Sequence, residues 1–257
     1  MITAVRTELL KLRTTRLAIG MLAVAAGWTA LVAAIEASRA GPHGMVPSLA
    51  TATGLRDVLT STGFALIIAA AYGTTITSGE LRHHTITDTY IDEPNRRQVL
   101  IAKIVTATLT GLVFGLAGAL VTTGISLAFA GAHGDHIAIA GSVIARYAAG
   151  AILAGGLLPA VGAAVGALIP NQIGAIIAIF AWGFGVEQIL GGVFHHVAPY
   201  LPLMASETMA GSSNGGMPPL PTGFTPLPFG AVVVLIAVVA LILAAVAATT
   251  AVNRDVT

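Results

Sequence analysis

The chain has 257 residues, of which 56% are hydrophobic and only 9% charged, and its mean hydropathy is +0.89. Soluble domains carry about a quarter charged residues, so these few charges exclude a water-facing surface for a fold this size and make lipid the expected solvent. The net charge of +1 points to no partner by itself, and the absence of cysteine excludes disulfides and thiolate metal sites.

Residues 1–16 read as an amphipathic helix lying at the membrane surface. Ile2, Val5, Leu9 and Leu12 form one apolar stripe at helical spacing, which leaves Arg6, Lys11, Arg13 and Arg16 for the headgroup layer and its anionic lipid. Six apolar stretches follow, at about 17–36, 58–79, 98–131, 143–169, 172–193 and 228–252. Each approaches or exceeds the roughly 20 residues that a helix needs to cross the hydrocarbon core. The third is long enough to tilt or to project beyond the bilayer. The first is longer than a secretion-signal core, so it reads as a retained anchor. The expected fold is therefore all-α and polytopic, in one transmembrane domain spanning 1–257.

Lys and Arg close to a span resist translocation and set the orientation. Six spans place nine of the twelve basic residues on one side, leaving only Arg39, Arg56 and Arg146 on the other. Both termini are thus expected in the cytoplasm. The connection 194–227 contains no Lys or Arg, which suits an external loop. Its first part, 195–209, is apolar enough for a short re-entrant or interfacial helix, and 211–221 should be irregular.

The connection between spans two and three carries the densest signal. Thr85 and Asp88 have capping-box spacing, which predicts a short helix, and Pro94 would end it. Asn95 with Gln98 predicts a second cap, opening span three. A helix wedged between two membrane helices, with alternating charge on its surface, is suited to docking on a partner.

This connection resembles the first cytoplasmic loop of ABC-2-type transporter permeases. The matching positions are Gly79, Glu80, Arg82, Thr85, Ile86, Pro94, Arg96, Arg97 and Lys103, and the opening Glu8-Leu9-Leu10-Lys11-Leu12-Arg13 is similar to that family's N-terminal interfacial helix. His83-His84 departs from the family's usual pattern. The resemblance implies that 80–95 is a coupling loop seated on a separate ATP-hydrolysing subunit, with Glu80, Arg82, Thr85, Ile86, Pro94, Arg96 and Arg97 as contact or loop-shaping residues. It further implies a second permease protomer, a location in the cell membrane, and ATP and magnesium held on the partner ATPase. The chain has no Gly-x-x-x-x-Gly-Lys-Ser/Thr loop of its own to cradle a nucleotide. No nucleic-acid partner is implied. The resemblance implies an exporter, and the apolar spans point to a lipid, drug or peptide substrate but do not by themselves tell export from import.

Glu187 is the only ionisable residue well inside a span, on the order of 9 Å below the outer end of span five. A carboxylate there lines a pathway or external gate, pairs with Arg146, or hydrogen-bonds as a neutral acid to Gln188. Two other function classes rest on it: a proton-coupled secondary transporter, and an intramembrane enzyme using Glu187 with the external histidines. The histidines, including the adjacent pair His195-His196, lack metal-ligand spacing, so no metal is expected. Gly111-x-x-x-Gly115 and Gly162-x-x-x-Gly166 give spans three and four small-residue faces, for packing inside one subunit or for a dimer seam.

Overall fold

The computed structural model describes residues 2–14, 16–41, 47–83, 85–134, 141–209 and 225–250. The side chain of Arg13, residue Arg254 and the expected irregular segment 211–221 lie outside them. Helices α1 (Ile2–Thr14) and α2 (Arg16–Ser38) open the chain, followed by α3 (Ala52–Leu59) and α4 (Gly63–Arg82). The short α5 (Ile86–Asp92) precedes α6 (Arg96–His133) and α7 (Gly141–Leu168). Helix α8 (Gln172–Ala181) passes through a π-turn (Trp182–Val186) into α9 (Glu187–Val193). A 3₁₀ turn (Ala198–Tyr200), α10 (Pro202–Met209) and α11 (Phe229–Thr250) complete the described chain, which contains no strand. Six helical stretches are long and apolar enough to cross a membrane: Arg16–Ser38, Ala52–Arg82, Arg96–His133, Gly141–Leu168, Gln172–Val193 and Phe229–Thr249. This is a multi-pass helical membrane protein.

The second span differs from a single continuous helix. It breaks at 60–62, where Thr60 turns its amide to the Arg56 and Val58 carbonyls and its hydroxyl to the Asp57 carbonyl. Hydroxyl residues that bond their own backbone compete with helix continuation, and Thr60 does so at this break. Helix α6, at 38 residues, is about 57 Å long against a hydrocarbon core of about 30 Å, so it projects beyond the core.

Helix α4 is the centre of the bundle. Positions 63–78 are buried except Phe64, and α2, α6, α7 and α8 pack around it. Three of its aliphatic hydroxyls are satisfied locally: Thr74, Thr75 and Ser78 donate to carbonyls one turn back. Thr77 instead crosses to α7 and donates to the Ala163 carbonyl at 2.6 Å. The outer helices carry the lipid-facing belt, with Ile19, Val24 and Leu31 on α2, Ile173 and Ile177 on α8, and Leu241 and Ile242 on α11 all exposed.

Close approach of α7 to its neighbours depends on missing side chains. A Cβ at Gly162 would collide with the Ala70 carbonyl on α4, and one at Gly111 would collide with the Gly155 carbonyl on α7. Pro159 lacks the N–H that would bind the Gly155 carbonyl, so this oxygen is left to the α6 backbone at Gly111. Both small-residue faces therefore meet helices of the same chain. Gly162→Ala is expected to destabilise by about 1–3 kcal/mol or more, because backbone must move to admit the methyl group. Gly124→Ala, where nothing lies within 4 Å, is the neutral control. The yield and melting temperature of the detergent-purified variants check this.

Candidate coupling site

Helix α5 is seven residues long and sits between two membrane helices. Thr85 occupies the cap position but makes no side-chain cap bond. The side chain of Asp88 lies outside the described residues, so the first capping box has no bond to show. The second cap is formed: Asn95 accepts from the Gln98 amide at 3.2 Å, opening α6. Gln98 does not reach back to the Asn95 backbone but donates from Nε2 to Glu93 at 3.2 Å. Ile86 is buried and anchors α5 beside Leu81, Val99 and Leu100. The Arg96 guanidinium lies over the Tyr90 ring, 4.9 Å from its centre, tying the start of α6 to α5.

Beneath α5 lies a closed ring of alternating charge. Lys103 on α6 is 1% exposed, with its Nζ 2.9 Å from Glu8 on α1 and 2.8 Å from Glu80 on α4. Lys11 on α1 bridges the same two carboxylates, each at 2.8 Å. Thr89 completes the link to α5: it accepts from Lys11 at 3.1 Å and donates to Glu80 Oε2 at 3.2 Å. The distant α1 and the consecutive α4, α5 and α6 thus share one polar centre. Burial pulls the Lys11 ammonium downward, but its hydrogen bonds to Glu8 and Glu80 and their charges outweigh this and raise its pKa overall. A raised lysine contributes its stabilisation fully below the ordinary lysine value and loses it only as pH climbs through the raised one. Lys11 therefore stays charged throughout the neutral range.

The expected contact residues divide into two groups. Arg82, Thr85, Pro94 and Arg97 are exposed on the outer surface of the loop. Ile86 is buried, and Glu80 and Arg96 are turned largely into the protein, where they shape the loop. Arg6 and Arg16 are exposed, whereas Lys11 is half-buried in the ring. Helix α1 packs on α6 through Glu8, which lies between the stripe residues Val5 and Leu9. Glu8 and Thr89 were not legible as site residues. Only the Glu8–Lys11 spacing hinted at the first, and nothing marked the second. A cavity of about 650 Å³ opens beside the ring, polar at Lys11, Glu80 and Thr89 and apolar at Leu12, Leu17, Tyr72 and Ile76.

A second polar centre lies toward the opposite end of the bundle. Glu187 is fully buried and accepts from Trp182 Nε1 at 2.6 Å, from the Leu203 amide at 3.1 Å and from the Met204 amide at 3.0 Å. It thus holds the first turn of α10, whose free amides and positive dipole end suit a carboxylate. Neither Arg146, which is exposed on α7, nor Gln188 is its partner. The π-turn explains the tryptophan contact. In an α-helix, residues five apart point about 140° from each other, whereas an i to i+5 turn brings them to the same side. Here the Glu187 amide bonds the Trp182 carbonyl, closing that wider turn. Glu187 and Trp182 border an apolar cavity of about 340 Å³ lined by Ile67, Leu158, Val161, Ile179, Leu203 and Val239 among others.

Among the described residues no three His, Asp or Glu side chains converge as metal ligands. The chain matches no protein-family model and no curated protein sequence.

Proposed function

We propose that the chain is the transmembrane permease subunit of an ATP-binding cassette exporter, driven by ATP and magnesium on a separate ATPase subunit. The observation that supports this most is the seating of α5. A short helix with exposed arginines beside it is tied through Thr89 and the Glu8–Lys11–Glu80–Lys103 ring to α1, α4 and α6. A push on α5 from a docked partner would pass through this ring to α1, α4 and α6. In this reading both termini are cytoplasmic, the protein lies in the cell membrane, and it works as a dimer with a second permease protomer. Arg82, Thr85, Pro94 and Arg97 meet the ATPase, while Glu80, Ile86 and Arg96 hold the loop in shape. The substrate class is a lipid, drug or peptide, consistent with the apolar cavity beside Glu187. Glu187 acts as the strut of an outer gate formed by α10.

The test is co-purification. The native membrane complex should retain an ATPase subunit, and Arg82→Glu combined with Arg97→Glu should weaken that association about tenfold or more, since like charges across an interface cost several kcal/mol. Transport in proteoliposomes containing this chain and no ATPase would sink the reading, and would favour a proton-coupled carrier.

A further inference from the structure

We propose that Glu207 is a buried proton-binding site whose proton latches α10 against the start of α4. The proposal concerns the opposite end of the bundle from α5 and does not depend on the transport reading.

Glu207 is 1% exposed, and among the described residues neither of its carboxylate oxygens has a hydrogen-bond partner. Its side chain fills the space left by Gly63 at the start of α4: a Cβ there would lie 3.0 Å from Oε1 and 3.4 Å from the carboxyl carbon. An ionised carboxylate sealed in this way without a partner costs several kcal/mol, and such a group neutralises instead. Its neighbour Glu187 has the opposite environment. Three N–H donors converge on Glu187. Among the described residues Glu207 has no such donor, so a proton is what satisfies its buried carboxyl group.

Among the described residues no cation is paired with Glu207. Helices α4, α7 and α11 and the 3₁₀ turn pack against α10. Helix α11 carries no ionisable side chain, and the 3₁₀ turn has only Tyr200, which is exposed. On α7 the only ionisable groups are Arg146, which is exposed, and Tyr147, whose hydroxyl accepts from Arg56 of α3 at 2.7 Å. On α4, Tyr72, Glu80 and Arg82 lie nine or more residues beyond Gly63. Loss of the proton to solvent leaves the electron pair on Glu207 as a buried anion without a hydrogen-bond donor. Helix α10 must then leave Gly63 to hydrate it, and the Glu187 contacts to Trp182, Leu203 and Met204 loosen with it.

The chain has two tryptophans, so a Trp28→Phe background isolates Trp182 as a reporter of the Glu187 centre. Infrared spectra of the full-length protein at neutral pH should show a protonated-carboxyl band, sensitive to deuterium, that Glu207→Gln removes. Trp182 fluorescence should titrate at alkaline pH in the parent and lose that titration in Glu207→Gln. If Glu207→Gln does not fold, Glu207→Met provides the same comparison without a polar group. An unchanged carboxyl band in the variant means Glu207 is ionised and overturns the proposal. A Trp182 titration that survives the substitution also overturns it, because the latch then lies elsewhere.

Discussion

Lys103→Met should be among the most damaging single substitutions in the chain, costing about 3–5 kcal/mol of stability. The reason is not loss of one attraction. Lys103 is the buried cation between Glu8 and Glu80, and its removal leaves two carboxylates in a low-dielectric centre with only the half-exposed Lys11 to share. Methionine keeps most of the volume, so the effect is electrostatic rather than a cavity. The melting temperature of the detergent-purified protein should fall steeply. Adding Glu8→Gln should recover much of the loss, because Lys11 and Glu80 then remain as a balanced pair. A Lys103→Met protein that melts with the parent would show that the ring contributes nothing to the fold. In the proposed transporter this charge-balanced double variant separates stability from coupling: it should fold, yet transmit a movement of α5 to α6 poorly, because the Lys103 link is gone.

Glu187→Ala should release α10 while leaving the six spans in place. It removes the acceptor for the Leu203 and Met204 amides and for the Trp182 indole, and a buried donor left unpaired costs about 1–3 kcal/mol. Hydrogen exchange in Pro202–Met209 should accelerate at least tenfold, with little change in α4 or α7. Glu187→Gln keeps one acceptor oxygen and should produce a much smaller change. The pair of variants also separates the roles open to this residue. A strut tolerates glutamine in large part, whereas a group that carries a proton or performs acid–base chemistry does not. Transport abolished by Glu187→Gln, with exchange in α10 unaltered, would overturn the strut.

The two polar centres show where sequence reasoning reached its limit. Composition and the length of the apolar runs were enough for six membrane-crossing helices, because every backbone group in hydrocarbon must be satisfied within its own segment. Pro94, Asn95 and Gln98 marked the boundary between α5 and α6 through local backbone chemistry, and Asn95 makes the bond its spacing predicts. Thr85 does not, because the burial of Ile86 and the link from Thr89 to the ring hold α5 without a side-chain cap.

What the sequence determined by itself was therefore the local physics: which stretches are apolar enough to cross lipid, where a short helix starts and stops, and where cations gather. The tertiary structure alone decided which polar groups meet. Glu8 lies along the apolar stripe of α1, yet it faces Lys103, 95 residues away. Glu187 looked like a candidate for Arg146 or Gln188, yet a π-turn and the return of α10 supply its partners. Glu207, in the connection before the last span, showed no pattern at all until Gly63 left room for it. Partner choice depends on helix rotation and on loops that return across the bundle. Neither is encoded in the period or spacing of any single segment.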